Sequence, residues 1–283
     1  MKAAISRREF LERSSTLVAG ASAILAVAPR AYGYPLDGVM GFQGYDPRQQ
    51  LAKDYEGTLR TLAGYGYKAI DMVAGPQSKP AQELRQILDS VGMICHNCHF
   101  SFKALHEGYG GTIDIARTLG LKSMVCQASG KITTADGWKK MADDLNALGA
   151  RTKQDGLLTG YHNHPLEFID VEGQVPWDLL VKGTDPELVK FQIDVGSAAD
   201  AGKDPIEYLT KYPTHYYSLH ARDARGKEAG LATGEGTLDW KKIFTLAKAA
   251  NIHNYDVETG AAPDQVMEKL RLSAEFLRSF PAI

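Results

Sequence analysis

The sequence predicts an α/β chain folded as a closed (β/α)8 barrel, a TIM barrel. Three observations point there. Eight short apolar runs of strand character recur between residues 36 and 260. Runs with helical spacing separate them. Four of the helical segments reach a glycine just before the next strand, at Gly66, Gly92, Gly120 and Gly156. Glycine there supplies the left-handed residue that ends a helix. Alternating strand and helix implies parallel pairing through right-handed crossovers. Eight such units in ~250 residues fit one closed barrel. An open doubly wound sheet would want G-x-G-x-x-G after its first strand, and GFQGYDP (41–47) lacks that spacing.

The strands are expected at LDGVMGF (36–42), KAIDMVA (68–74), GMICHNCHF (92–100), KSMVCQA (122–128), GLLTGYHNH (156–164), LVKFQIDVG (188–196), YYSLHARD (216–223) and NYDVETG (254–260). Between them, YEGTLRTLAGYG (55–66), PAQELRQILDSVG (80–92), GWKKMADDLNALGARTKQDG (137–156) and DWKKIFTLAKAANI (239–252) carry apolar residues at helical period. Asp239 sits where an N-cap belongs, with Trp240 turned inward. DQVMEKLRLSAEFLRSF (264–280) reads as a closing amphipathic helix.

Residues 1–33 stand apart. A basic start, the apolar run TLVAGASAILAVA and the ending PRAYG have the order of a secretory signal. The apolar core, at ~13 residues, is too short to span a bilayer. Ser6-Arg7-Arg8-Glu9-Phe10-Leu11 resembles the twin-arginine export motif. The domains expected are therefore a signal over 1–33 and a barrel over 34–283, with cleavage after Gly33 or Ala28. The expected location is periplasmic, with the twin-arginine export machinery as a partner. Replacing both Arg7 and Arg8 with Lys should strand the unprocessed chain in the cytoplasm, read by fractionation and immunoblotting. Normal processing of that variant would remove the twin-arginine assignment.

Losing residues 1–33 removes five basic and two acidic groups, which lowers the formal charge from −2 to −5. A mildly acidic chain without a basic run is a poor nucleic-acid binder. It also has no polybasic or apolar membrane anchor beyond the signal. A homo-oligomer is left open. The three cysteines, Cys95, Cys98 and Cys126, lie in apolar runs and read as small buried side chains. CHNCH (95–99) has the look of a zinc cluster, but strand alternation would send Cys95 and Cys98 to opposite faces.

In such a barrel, chemistry gathers where the C-terminal ends of the strands meet. The polar residues closing the runs are Gln43, Asp71, His99, Gln127, then His162, His164 and Glu167, Asp194, His220 with Arg222 and Asp223, and Glu258. The late strands each close on one ionisable group: FQI-Asp194, YSL-His220 and YDV-Glu258. Carboxylates converging in a barrel mouth cost several kcal/mol unless paired or bound to a metal. Pairing with Arg222, Lys190 or backbone amides is the competing explanation. Mixed N/O ligands with open positions suit Mn, Zn, Co or Fe(II) better than Ca.

The chain resembles the sugar phosphate isomerase/epimerase family, the xylose-isomerase-like TIM barrels. YHNHPLEF (161–168), FQIDVGSA (191–198), SLHARD (218–223), GEGTLDW (234–240) and VETG (257–260) carry the resemblance. It implies a divalent metal cofactor (Mn, Zn, Co or Mg) held from strands five to eight. On this chain the ligands would be Asp194, His220, Glu258 and a fifth-strand residue. There the family's E-N-H becomes H-N-H, so the ligand is His162, or Glu167 folding back. The resemblance further implies proton removal beside a carbonyl, with Glu258 as the main base and Glu167 or His164 as its partner. His99, Gln127 and Arg222 are candidate substrate contacts. Trp177, Tyr45, Phe42 and Phe102 are candidate stacking partners for a sugar; His96, His106, His215 and His253 are placed off the site.

Export favours a non-phosphorylated sugar or keto-sugar, since sugar phosphates are scarce outside the cytoplasm. The expected activity is isomerisation or epimerisation through an enediolate. The alternatives are a lyase or hydratase of 3-keto-glycosides and a non-catalytic sugar-binding barrel. An apurinic endonuclease on the same fold would need a positive DNA face.

Overall fold

The computed structural model of the chain describes residues 35–36, 38–74, 79–127 and 132–280; the signal assigned to 1–33 lies outside them. Eight strands close into a barrel in which each pairs in parallel with its chain neighbours and the eighth returns to the first. They are β1 Met40–Gln43, β2 Ala69–Val73, β3 Ile94–His99, β4 Ser123–Cys126, β5 Leu158–His162, β6 Val189–Asp194, β7 Tyr216–His220 and β8 Asn254–Val257. Seven fall inside their expected runs and are shorter, because the polar end of the run belongs to the loop at the barrel mouth; β1 runs one residue past its expected end, to Gln43.

The helices are α1 Arg48–Lys53, α2 Tyr55–Tyr65, α3 Ala81–Val91, α4 Phe102–Glu107, α5 Tyr109–Leu119, α6 Ala135–Gln154, α7 Pro176–Gly183, α8 Val195–Asp200, α9 Pro205–Lys211, α10 Trp240–Ala249 and α11 Val266–Ser279. Gly66, Gly92 and Gly120 cap α2, α3 and α5 in the left-handed conformation. Gly156 is also left-handed but lies one residue past the cap of α6. Asp239 caps α10 by accepting from Lys242 N, and Trp240 is buried with its indole N–H given to Asp223.

The apolar core lies between the strands' outer faces and the helices. There Trp177 stacks among Phe168, Phe191 and Tyr216, and Phe42 meets Tyr67 edge-on. Both Trp177 and Phe42 are fully buried, so neither is free to stack on a sugar. Of the other two aromatic candidates, Tyr45 carries Arg48 over its ring and Phe102 packs on His106.

The barrel interior is polar. His96 spans it from β3 to Asp256 on β8, 3.1 Å away. Two glycines make room: a Cβ on Gly41 would lie 2.0 Å from Asp256 Oδ1, and one on Gly160 2.7 Å from Tyr217 Oη. A register shift lets β3 depart from strict alternation, since Ile70 pairs with Cys95 and Asp71 with Asn97, skipping His96. An extra residue of this kind re-aims the side chains that follow. The alternation argument for Cys95 and Cys98 therefore fails locally. Both are free and buried, and both lie within electrostatic reach of the Tyr55 hydroxyl.

Candidate metal and active site

At the C-terminal mouth of β5 to β8, His162, Asp194, His220 and Glu258 converge, one ligand atom from each lying within 4.8 Å of the others. Asp194 pairs in register with His220 across β6 and β7. The His162 and His220 rings are 4.4 Å apart between centroids. Three of the four are buried, while the Glu258 side chain keeps 24% of its surface exposed.

Each member is held differently. Asp194 ends β6 and caps α8: Oδ1 accepts from Ser197 N at 2.9 Å and Oδ2 from Ser197 Oγ at 2.6 Å. Asn163 clamps its backbone by donating to Asp194 O and accepting from Asp194 N. Arg222 stands 3.8 Å from Asp194 and donates to Asp200 at 2.6 Å. His220 lies between two carboxylates, with Nδ1 2.7 Å from Glu258 Oε2 and Nε2 2.9 Å from Asp71 Oδ2. His162 Nδ1 is buried and makes no hydrogen bond to the described residues.

Burial works against every charge here, and the neighbours decide the outcome. Burial pushes the Asp194 carboxyl up, and Glu258 adds repulsion that Arg222, His220 and Ser197 only partly offset. For Glu258 burial is overcome by the His220 bond and charge, which hold it below the usual carboxylate range. Burial would neutralise His220, but Asp71 and Glu258 keep it well above the usual histidine value. His162 is pushed well below it by burial and by the other three imidazoles around it. An imidazole held neutral with an unpartnered nitrogen, beside two carboxylates and a second imidazole, is the donor set of a divalent cation. The residues present fit such an ion.

The remaining candidates fall in three places. Glu167 is buried away from this group, accepting from Tyr161 Oη at 2.7 Å and from His164 N at 2.9 Å. That corrects its placement as the alternative ligand: both oxygens hold the 3-10 turn Pro165–Phe168. His164 is exposed at the mouth, its ring 4.9 Å from His162. Gln127 is exposed too, and with His164, Trp138 and Leu166 it lines a cavity of ≈ 690 Å³ beside the mouth. His99 is not at the surface of the mouth: it is buried against Asp71 and Gln192. Arg222 is turned to Asp194 and Asp200 rather than into the opening. His106, His215 and His253 are remote from the four, while His96 lies inside the barrel on Asp256.

Two supporting roles escaped sequence reasoning, that of Asp223, read only as a polar residue closing the seventh run, and that of Asp46. Asp223 carries the GEGTLDW loop, accepting from Gly234 N, Trp240 Nε1 and Ala224 N. Asp46, after β1, accepts from Thr259 N and Oγ and from Gly260 N, which fixes the backbone leaving Glu258. A short carboxylate just past a strand was the available signal, but it does not reveal its partner 213 residues away.

Burial first, then Glu258, raises the Asp46 carboxyl to about 6 despite its three donors. A folded value above the unfolded one means the folded state binds the extra proton. Stability from this group is thus present below pH ~4 and lost as pH rises through ~6. The stability difference between wild type and Asp46→Asn should therefore shrink from pH 4 to pH 6.5, measured by urea denaturation. A constant difference would contradict that shift.

The chain belongs to the xylose isomerase-like TIM barrel family, whose pattern it matches over residues 59–280. It is 28% identical over 252 residues to an inosose dehydratase of Clostridium perfringens, covering 74% of this chain and 84% of that one. A crystal structure of a sugar phosphate isomerase/epimerase from Parabacteroides distasonis superposes with a TM-score of 0.77 at 26% identity, over 86% of this chain and 99% of that one. A third barrel, described as IOLI protein with a binding zinc atom, shares the fold at 15% identity with a TM-score of 0.62, over 84% of this chain and 96% of that one. Relatives of both dehydratase and isomerase/epimerase kinds thus share this architecture.

Proposed function

We propose that the protein is a metal-assisted carbon–oxygen lyase of the dehydratase kind. Its substrate would be a non-phosphorylated cyclic polyhydroxy ketone, such as a 3-keto-glycoside, and it would work outside the cytoplasm. The inosose dehydratase relative supports elimination over the isomerisation first expected from the sequence. The geometry supports it too. Of the two carboxylates in the group, Asp194 is buried and bonded through both oxygens, whereas Glu258 is partly exposed. A barrel that inverts a stereocentre with two carboxylates needs one on each face of the substrate, and His162 stands where the second would be. That one available base is the observation that carries the reading.

A divalent cation bound to His162, Asp194, His220 and Glu258 would supply the positive charge that stabilises an enolate oxygen. Glu258 takes the proton from the carbon beside the carbonyl. The electron pair moves to the carbonyl oxygen and returns to expel the oxygen substituent on the next carbon. His164, exposed at the mouth, delivers a proton to that departing oxygen. The products are an enone and one molecule of water or alcohol, so atoms and charge balance. Asp194, bonded through both oxygens to Ser197, keeps its position and does not exchange protons.

Incubation of the manganese-loaded protein in heavy water with a methyl 3-keto-glucoside tests this by proton NMR. Release of methanol together with a conjugated enone is expected. Isotope exchange with a rearranged sugar and no methanol would instead favour the isomerase/epimerase reading, which the Parabacteroides structure supports.

A further inference from the structure

Beneath the four converging side chains lies a second cluster drawn from β2, β3 and β6; it is hydrogen-bonded to them at His220, and its His99 ring lies 5.1 Å from that of His162. Asp71 on β2 is completely buried, and its Oδ2 receives three donors. They are His220 Nε2 at 2.9 Å, His99 Nε2 at 3.0 Å and Gln192 Nε2 at 2.8 Å. His99 Nε2 also lies 3.0 Å from Gln192 Oε1, so Gln192 donates to Asp71 while accepting from His99. Gln192 Nε2 has Ser218 Oγ as a further neighbour at 3.4 Å. Four strands thus contribute to one closed network, and it takes up one nitrogen of one candidate ligand.

We propose that Asp71 is a positioning residue for the metal site: it holds the proton of His220 on Nε2 and so presents the Nδ1 lone pair to the cation. The inference rests on the metal site described above but not on the reaction assigned to it. Both ring nitrogens of His220 face a carboxylate, at 2.7 Å for Nδ1 and 2.9 Å for Nε2, but Glu258 is itself one of the four converging residues and Asp71 is not. Nε2 points down the barrel into an acceptor, and Nδ1 points toward Glu258 and the rest of the group. The Asp71 oxygen only accepts, so Nε2 donates to it, whereas a cation shared with Glu258 would take the place of the proton on Nδ1. Nδ1 is then the ligand. His99 and Gln192 act one step further back, by fixing the Asp71 carboxylate that orients the ring.

The competing account makes Asp71, His99 and His220 ligands of a second ion, since their donor atoms also lie within 4.8 Å of one another. Gln192 argues against it. Its amide donates to the same Asp71 oxygen, which suits a hydrogen-bonded anion better than a metal ligand.

The test uses the full mature chain with zinc alone as probe. In the zinc-loaded, 15N-labelled wild type, the His220 ring should show a protonated, slowly exchanging Nε2 and a zinc-shifted Nδ1. The reverse pattern overturns the proposal, and this readout needs no variant. For Asp71→Asn, competition with a chromophoric chelator should show zinc held ~10- to 100-fold more weakly, the usual loss when a partner behind a ligand is removed. Unchanged zinc affinity in a folded Asp71→Asn protein overturns it as well. If that variant does not fold, Gln192→Met replaces it, with the same direction and a smaller loss expected. Zinc content should be one per chain; a second zinc that Asp71→Asn eliminates would make Asp71 a ligand instead. None of these readouts depends on turnover, so failure of the lyase reading leaves them intact.

Discussion

Glu258→Gln is expected to lower kcat/KM by ~1,000-fold or more while the metal stays bound, within the range a positioned general base contributes. The amide keeps the length of the side chain and a carbonyl oxygen that can still reach a cation beside His220 Nδ1, which lies 2.7 Å from Glu258 Oε2 in the wild type. It cannot accept a proton from carbon. Three of the four candidate ligands remain, so metal content should stay near one per chain. Steady-state rates together with elemental analysis of the purified variant separate loss of the base from loss of the ion. Activity within tenfold of wild type would assign the base elsewhere, with His164 the next residue to examine.

The second large effect is expected from His162→Glu, which restores the family's more usual ligand. In wild type the four side chains carry two carboxylates and two imidazoles. The variant has a third buried carboxylate within ligand distance of Asp194 and Glu258. A buried charge without a partner typically costs ~3–5 kcal/mol. For a domain of this size, ~2–4 °C of melting temperature accompanies each kcal/mol. With a chelator present the variant should thus melt ~10 °C below wild type. Saturating manganese should restore most of that difference, because the cation binds the folded state and balances the new charge. Calorimetry with and without manganese reads both. Equal melting of the two proteins in chelator would mean that residue 162 does not face Asp194 and Glu258 as placed.

The strands were legible because their outer faces are apolar and the runs are short, periodic and separated by capping glycines. Asp194, His220 and Glu258 were legible for a related reason: each closes a mostly apolar run at its C-terminal end, where a buried ionisable group needs a partner or a metal. Glu167 was harder. In the local text it is one of three polar groups after β5, and only the closure of the 3-10 turn on Tyr161 Oη and His164 N shows it to be a turn-holding residue. Trp177 and Phe42 were misread as candidate sugar contacts because an aromatic in a loop-rich sequence and one in a packed core look alike until the helices are docked.

β3 shows why the rest was hidden. Period-two reasoning assumes that a strand keeps its register, and the skipped His96 breaks that register inside CHNCH. His96 then lies across the barrel on Asp256, and His99 reaches Asp71 and Gln192 instead of the mouth. None of those partners is near in sequence; His96 and Asp256 are 160 residues apart.

The chain alone determined the eightfold alternation, the barrel it closes into, and which ionisable groups close strands six to eight. Those features follow from local periodicity and from the cost of placing a charge at the end of an apolar run, both of which act over a few neighbouring residues. The tertiary structure alone decided how those groups are oriented: Asp71 behind His220, Asp46 behind the backbone after Glu258, Arg222 against Asp194. Such pairings depend on which strand lies opposite which, and on a one-residue shift in register. They are long-range consequences of closing the sheet, and no stretch of sequence carries them by itself.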